Sequence, residues 1–427
     1  MADMSPNTRI RLSVMMFLQY AFQGVWVIPL GFYLTKVGYT GSQIGSMYGT
    51  IALGFIIAPF FVGMVADRFF SAQKVLGVVN ILAAVLLFWA SKTAVSPDGS
   101  AQPQVFFWVL LAHCIFYTPS WALTNTIALN QMSDPGKQFP SIRVLGTIGW
   151  IVVSAVTLLS PVLKMNIEAT NLPMIIGAAI GMVTGIFSFF LPDTPPKPTE
   201  HKPTVADIIG IKAISLMKDR NFAVFAICSF LIMLPGTFYW IFCNVFLNEI
   251  GMEFAQLKQS MGQMSELVFM LIMPFFFARL GVKKMLLIGM LAWLARFLCF
   301  AYGDMASAVW LLYLGFILHG VCFDFFFVTG QLYTDKKAPN EIQAQAQGLI
   351  SLITFGVGWL VGTKLAGVVV DKYVTGTKLV EGSEELIHNW KAIWLYPAVM
   401  AAVIAVVFLI FFNDKTMVGQ KTETAQA

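Results

Sequence analysis

Charge is scarce in this sequence. Asp, Glu, Lys and Arg make up 11% of its 427 residues, against roughly a quarter in soluble domains. With 58% apolar side chains and a mean hydropathy of +0.75, so few charges exclude a soluble globular protein. Histidine is rarer still at four copies, and the five cysteines at 114, 228, 243, 299 and 322 form no C-x-x-C pair. Neither a disulfide framework nor a zinc site follows, and the cysteines read as small buried residues. There is no G-x-x-x-x-G-K-[ST] loop and no nucleophile with a nameable base, which sets aside enzymes and ATP-driven pumps. No cofactor or metal is expected. The net charge of +5 comes without a Lys/Arg block, so nucleic acid is excluded as a partner and a lipid bilayer is implied.

What the sequence does have is apolar runs, each of about 20 residues, the length of one bilayer crossing. Twelve are predicted, starting near Ile10, Ser42, Lys74, Val105, Phe139, Leu172, Asn221, Phe254, Met285, Ala308, Gln343 and Lys391. An even number puts both termini on one side. The first run stays apolar from Ile10 to Leu34 and lacks a small-x-small cleavage site, so it is expected to persist as a helix. Most Lys and Arg of the loops fall on the side of the termini, with Lys36, Lys92, Lys164, Lys372 and Lys378 opposite; that bias predicts cytoplasmic termini. A Pro-rich stretch from Pro192 to Arg220 contains a segment, Val205 to Met217, with apolar residues at helical spacing. It divides the chain into a bundle of six helices at 1–191, a cytoplasmic linker with an amphipathic helix at 192–220, a second six-helix bundle at 221–412 and a tail at 413–427. Six helices plus six around a linker is a transporter pattern, in which two bundles rock about a site near the midplane.

Between the second and third runs, Gly63 to Arg68 resembles the G-x-x-x-D-[RK] signature of the major facilitator superfamily, though the usual Gly-Arg-Arg continuation is missing at Phe70, Ser71 and Ala72. Asp67 and Arg68 are placed to bond a neighbouring helix end in one bundle arrangement only, biasing the conformational equilibrium; a solvated loop pair is the plainer alternative. Glycines at four-residue spacing (41, 45, 49 and 177, 181, 185) predict flat packing faces. Pro235 and Pro274 predict helix breaks.

Ionisable residues at mid-bilayer cost roughly 2.5 to 3.5 kcal/mol each and need a partner, a wet cavity or a changed protonation state. Glu266 falls near the midplane of the eighth helix, with Gln263 one turn before it on the same face. Asp324 lies deep in the tenth helix beside His319 and Phe323. Arg296 lies near the centre of the ninth, where an ion pair with Asp324 or Glu266 is expected. Arg143 is placed by position alone either to bind or to snorkel, while His113 and Lys364 are expected to pack and snorkel. With no ATP site, coupling to an ion gradient through carboxyls is the expected energy source.

Several of these segments together resemble the bacterial nucleoside:proton symporters, a branch of the major facilitator superfamily. They are Phe17-Leu18-Gln19 with Trp26 and Gly31, Gly63 to Arg68, Ile142-Arg143 with Gly146-Thr147-Ile148-Gly149, and Gln263-Met264-Ser265-Glu266. Further along come Pro274-Phe275-Phe276, Ala292-Trp293 with Arg296-Phe297, Phe300 to Asp304, Phe323-Asp324-Phe325-Phe326 and Ala346-Gln347-Gly348. The resemblance implies an all-α membrane fold of twelve helices in two bundles and proton-coupled nucleoside import by alternating access. It implies a bacterial inner-membrane permease that needs no protein partner. It also implies substrate contacts from Arg143, Thr147, Gln263, Glu266 and Phe323, with Glu266 and Asp324 as proton-coupling carboxyls. Sugar hydroxyls suit Glu266, Gln263 and Arg143, and a flat base suits Trp150 or Phe323. Two departures bear on base preference: the seventh helix reads Thr237-Phe238-Tyr239-Trp240 where the family has side-chain amides, and His319 replaces a Tyr. Thr237, Trp240 and His319 are therefore also expected at the substrate. The alternatives are a symporter of another polar solute such as a sugar, or a drug exporter.

Overall fold

A computed structural model of the chain describes residues 4–61, 70–195, 211–380 and 383–414. Helices begin where the sequence supplies caps and prolines. Ser5 accepts from Thr8 N at 3.2 Å, Asp134 from Lys137 N at 3.3 Å, Asp219 from Phe222 N at 2.9 Å and Asn389 from Ala392 N at 3.1 Å, and prolines 6 and 103 occupy first turns where no amide donor is needed.

The helices are α1 (Pro6–Lys36), α2 (Gly41–Phe61), α3 (Ala72–Thr93), α4 (Pro103–Asn130), α5 (Lys137–Leu163), α6 (Leu172–Ser188) and α7 (Arg220–Glu249). A long stretch, Ala255–Tyr302, is divided at Gly281, whose φ of 66° turns the chain in a region only glycine enters freely, into α8 (255–280) and α9 (282–302). Next come α10 (Val309–Lys337), α11 (Asn340–Lys372) and α12 (Trp390–Phe411). Among the described residues nine helical stretches are long and apolar enough to cross a membrane, one of them the α8–α9 pair, and α2 and the shorter α6 stand beside them. This is compatible with twelve crossings. Their outer faces are apolar, with Val162, Leu271 and Val399 more than half exposed, as a lipid-facing surface requires.

Pro235 and Pro274 lie inside α7 and α8. Two π-helical segments, Asp324–Val328 in α10 and Leu352–Gly358 in α11, widen the turn at mid-helix. The glycine runs pack as expected: Cβ atoms added at Gly41 and Gly45 would strike the Gly367 and Thr363 carbonyls of α11, and at Gly177 and Gly181 the rings of Trp26 and Phe22 in α1. All five cysteines are free and buried. His113 is buried with Nδ1 2.7 Å from the Ala83 carbonyl.

Asp67, Arg68 and linker residues 196–210 lie outside the described residues. Of the expected amphipathic segment, Ile211–Lys218 is a 3-10 helix that buries Ala213 against Ala338, Ala346 and Leu349 where α10 meets α11. Between α11 and α12 an antiparallel hairpin forms from β1 (Val374–Val380) and β2 (Ser383–His388). It is fastened to α7 through Glu249, which accepts from His388 N at 2.8 Å and lies 2.7 Å from its Nδ1.

Hydrogen bonds between the first six helices and the last six gather at the end away from the termini. Glu168, in a 3-10 turn before α6 (Ile167–Ala169), is 1% exposed; it accepts from Asn244 Nδ2 at 2.7 Å, Asn248 Nδ2 at 3.1 Å and Gln256 N at 3.2 Å. Burial pushes this carboxyl above the usual range, and the three donors pull the other way. Gln256 Nε2 then donates to the Gly24 and Val25 carbonyls of α1 at 3.0 and 3.2 Å. Asp371 of α11 accepts from Ser42 N at 2.8 Å, Gly41 N at 2.5 Å and the Ser42 hydroxyl, and Lys36 pairs with Glu385.

Candidate functional site

Arg143 sits one turn before Gly146 on α5. Without a side chain there, the Tyr20 ring and the guanidinium come together, the cation lying 4.1 Å from the ring centre. Gly149, another turn along, lets α5 lie against the Phe17 backbone of α1. Arg143 is half-buried rather than snorkelling outward, and its charge acts on Glu266 across the two halves. Thr147 follows on the same face, 8% exposed. Trp150 packs its indole on Gly24, with Nε1 buried and unpartnered.

On the other side α8 presents Gln259, Gln263 and Glu266 at helical spacing. The two amide oxygens are buried without partners, as is Gln23 Oε1 from α1. Glu266 is 14% exposed and its Oε2 lies 3.9 Å from Nε2 of His319, too far for a hydrogen bond. α10 is held against α8 where Gly320 N donates to Ser265 Oγ at 2.9 Å and Gly262 lies under the His319 side chain. Phe323 is half-buried, its ring 5.9 Å from His319 and 5.2 Å from Phe327. Asp324 opens the π-helical segment fully buried; neither carboxyl oxygen has a hydrogen-bond partner, and Glu266 is the charge that acts on it.

One expectation needs correction. Arg296 is fully buried but pairs with neither Asp324 nor Glu266. Its Nε donates to the Gly315 carbonyl at 2.8 Å, its Nη1 meets His319 Nδ1 at 2.8 Å, and the guanidinium lies 3.4 Å from the Tyr239 ring centre. Aromatic faces and a neutral imidazole take the place of a carboxylate. Thr237 is not brought into the site: it is fully buried against Gly362 of α11, and its hydroxyl donates to the Leu234 carbonyl at 2.7 Å. Trp240, half-buried, stacks on Trp359 at 5.1 Å and meets Trp293 edge-on at 5.7 Å, so it joins α7, α9 and α11. Tyr20, Gln23 and Gln259 are polar groups that sequence reasoning passed over. Gln23 lies one turn beyond the noted Gln19, and Gln259 one turn before Gln263, so helical spacing was the available signal.

The arrangement is that of a secondary transporter, with buried polar groups of two helical bundles brought near one another inside the bundle of apolar helices. The chain belongs to the nucleoside H+ symporter family, whose model matches residues 6–417. It is 43% identical over 412 residues to YegT of Escherichia coli, named as a nucleoside transporter (96% of this chain, 94% of that one), and 30% identical to the nucleoside permease NupG of E. coli (96% and 97%). It is 31% identical to an E. coli xanthosine permease (95% and 96%). Crystal structures of the nucleoside transporter NupG and of an Asp-to-Ala variant of it superpose with TM-scores of 0.82 and 0.85, at 30% identity, over 96% and 95% of this chain and all of theirs. A bacterial homologue of the lysosomal transporter Spinster shares the fold at a TM-score of 0.69 and 13% identity, over 95% of this chain and 96% of its own. The protein is thus a multi-pass membrane transporter of the major facilitator fold that couples nucleoside movement to protons, and is not an enzyme.

Proposed function

We propose that the chain imports nucleosides across a bacterial inner membrane by rocking the bundles 1–191 and 221–412 about the Arg143 and Glu266 site. The linker (192–220), the tail (413–427) and both termini lie in the cytoplasm, and no protein partner is required. The observation that carries this reading is that the Arg143 guanidinium of one bundle is near enough to act electrostatically on Glu266 of the other, beside buried amide oxygens that lack partners. Such groups suit a polar solute at the midplane and an inter-bundle contact that changes as the bundles rock. Arg143, Thr147 and Gln263 contribute hydrogen bonds to substrate, Trp150 and Phe323 contribute ring faces to the base, and Glu266 and Asp324 carry the proton. The Lys and Arg bias makes the end fastened by Glu168 and Asp371 the outer one, so this arrangement is closed to the outside.

The test is uptake of labelled uridine, adenosine and xanthosine into proteoliposomes under an imposed pH gradient, with glucose alongside. Accumulation of a nucleoside that collapses with a protonophore is expected, and glucose should not accumulate. Accumulation of glucose without any nucleoside would overturn the reading in favour of a sugar symporter.

A further inference from the structure

Arg296 is a buried cation without a carboxylate partner. It is 0% exposed, and its bonds go to the Gly315 carbonyl and to His319 Nδ1, both at 2.8 Å. The rings of Tyr239, Trp293 and Phe300 lie 3.4, 5.3 and 5.7 Å from it. A guanidinium has five donors and no acceptor. His319 Nδ1 must therefore be the acceptor, which places the ring proton on Nε2 and leaves the imidazole neutral. The ring is 2% exposed and packs over Gly262, where a side chain would collide with it.

We propose that Arg296 is a positioning residue for substrate recognition: it fixes His319 as the Nε2–H tautomer, so that a permanent donor stands beside the Glu266 carboxylate to receive a substrate hydroxyl. The proposal rests on the nucleoside reading above. Nε2 and Glu266 Oε2 are 3.9 Å apart. An oxygen at ordinary hydrogen-bond distance from both would see them at an angle of about 90°, within reach of a hydroxyl that accepts from one and donates to the other. A carbonyl could not donate to Glu266 and an ammonium could not accept from His319, so the pair selects a group that does both. On a nucleoside such groups are the sugar hydroxyls.

The full-length protein, 15N-labelled at histidine, is to be studied in detergent, with the His319 signals assigned by their loss in His319→Phe. A single Nε2–H tautomer is expected at His319. Binding of uridine and adenosine is then compared with that of their 2′- and 3′-deoxy analogues. One deoxy series should bind about tenfold or more weakly to the wild type. In Arg296→Met that discrimination should shrink to about twofold or less, within the scatter of a weakened hydrogen bond, and the His319 signals should spread over both tautomers. A wild-type His319 carrying its proton on Nδ1 overturns the proposal, as does an Arg296→Met protein that discriminates like the wild type. If Arg296→Met does not fold, His319→Phe decides: it should bind the deoxy analogue as the wild type does and lose the preference for the hydroxyl, and a retained preference overturns the proposal. Failure of the wild type to bind any nucleoside of the panel would sink the nucleoside reading and the hydroxyl half with it, while the tautomer measurement judges the role of Arg296 separately.

Discussion

At the scale of single residues, the two carboxyls stand in different surroundings. Glu266 faces Arg143 and His319, whereas Asp324 has no hydrogen-bond partner for either oxygen and no cation paired with it. A carboxylate in that position is costly, and a neutral carboxyl far less so. Arg296 is held by His319, Gly315 and aromatic rings and makes no ion pair with Asp324, so Asp324 is not what fixes it in place. Asp324→Asn is therefore expected to reach the membrane at wild-type levels and to lose pH-driven accumulation. Glu266→Gln should keep measurable nucleoside binding, since an amide still meets a hydroxyl, and should likewise lose accumulation against a gradient. Both are checked by comparing membrane expression, binding and proteoliposome uptake. Concentrative uptake that survives in both single variants and the double variant, yet collapses with a protonophore, would show that the proton travels elsewhere.

At the scale of elements, the close approach of α2 and α11 depends on the absence of side chains at Gly41 and Gly45. Overpacking a tight contact costs about 1 to 3 kcal/mol, so Gly45→Val should lower the melting temperature in detergent and reduce uptake. Gly348, where an added Cβ meets nothing within 4 Å, is the contrast. There Gly348→Ala should leave uptake intact and raise stability by about 0.5 to 1 kcal/mol through helix propensity. A thermal-shift series on the two variants reads both, and equal effects would contradict the packing argument. These contacts were legible in the sequence because four-residue glycine spacing and 20-residue apolar runs are local patterns; the helices start within a few residues of where hydropathy puts them. That Gln263 and Glu266 share a face was readable from helical spacing, whereas a place for Arg143 near them came only from the resemblance. The partner of Arg296 was not, since charge alone favours a carboxylate and nothing local reveals that His319 and Tyr239 enclose it. The neighbours of Thr237 and Trp240 were not legible for the same reason: hydropathy does not say which face of α7 meets Gly362 and Trp359. The hairpin at Val374–Val380 and Ser383–His388 was not legible because Gly376 and the run of Ser383, Glu384 and Glu385 break the pattern of a strand.

At the scale of the whole molecule, Glu168 joins more separate parts than any other side chain described above, reaching α7 through Asn244 and Asn248 and the start of α8 through Gln256, which continues to α1. Everything that meets it is a donor. An ionised carboxylate accepts from all of them, whereas a glutamine in its place would turn an amide group toward at least one donor and leave it unsatisfied. Glu168→Gln is thus not a silent exchange. It should cost the closed end about 1 to 3 kcal/mol, which raises the open population at that end about five- to more than a hundredfold. Ala255 is 0% exposed beside this carboxylate, and the native cysteines are all buried, so Ala255→Cys gives a reporter with a low background. Its labelling by a membrane-impermeant maleimide in intact cells should be slow with Glu168 in place and several-fold to many-fold faster with Glu168→Gln. Because the reagent acts only from outside, labelling also fixes which end faces outward: a site reached in intact cells puts the termini in the cytoplasm. Equal labelling rates with and without Glu168 would mean that the clasp at Asp371 and the pair of Lys36 with Glu385 hold this end shut without it, and the same measurement on Asp371→Asn would then locate the latch.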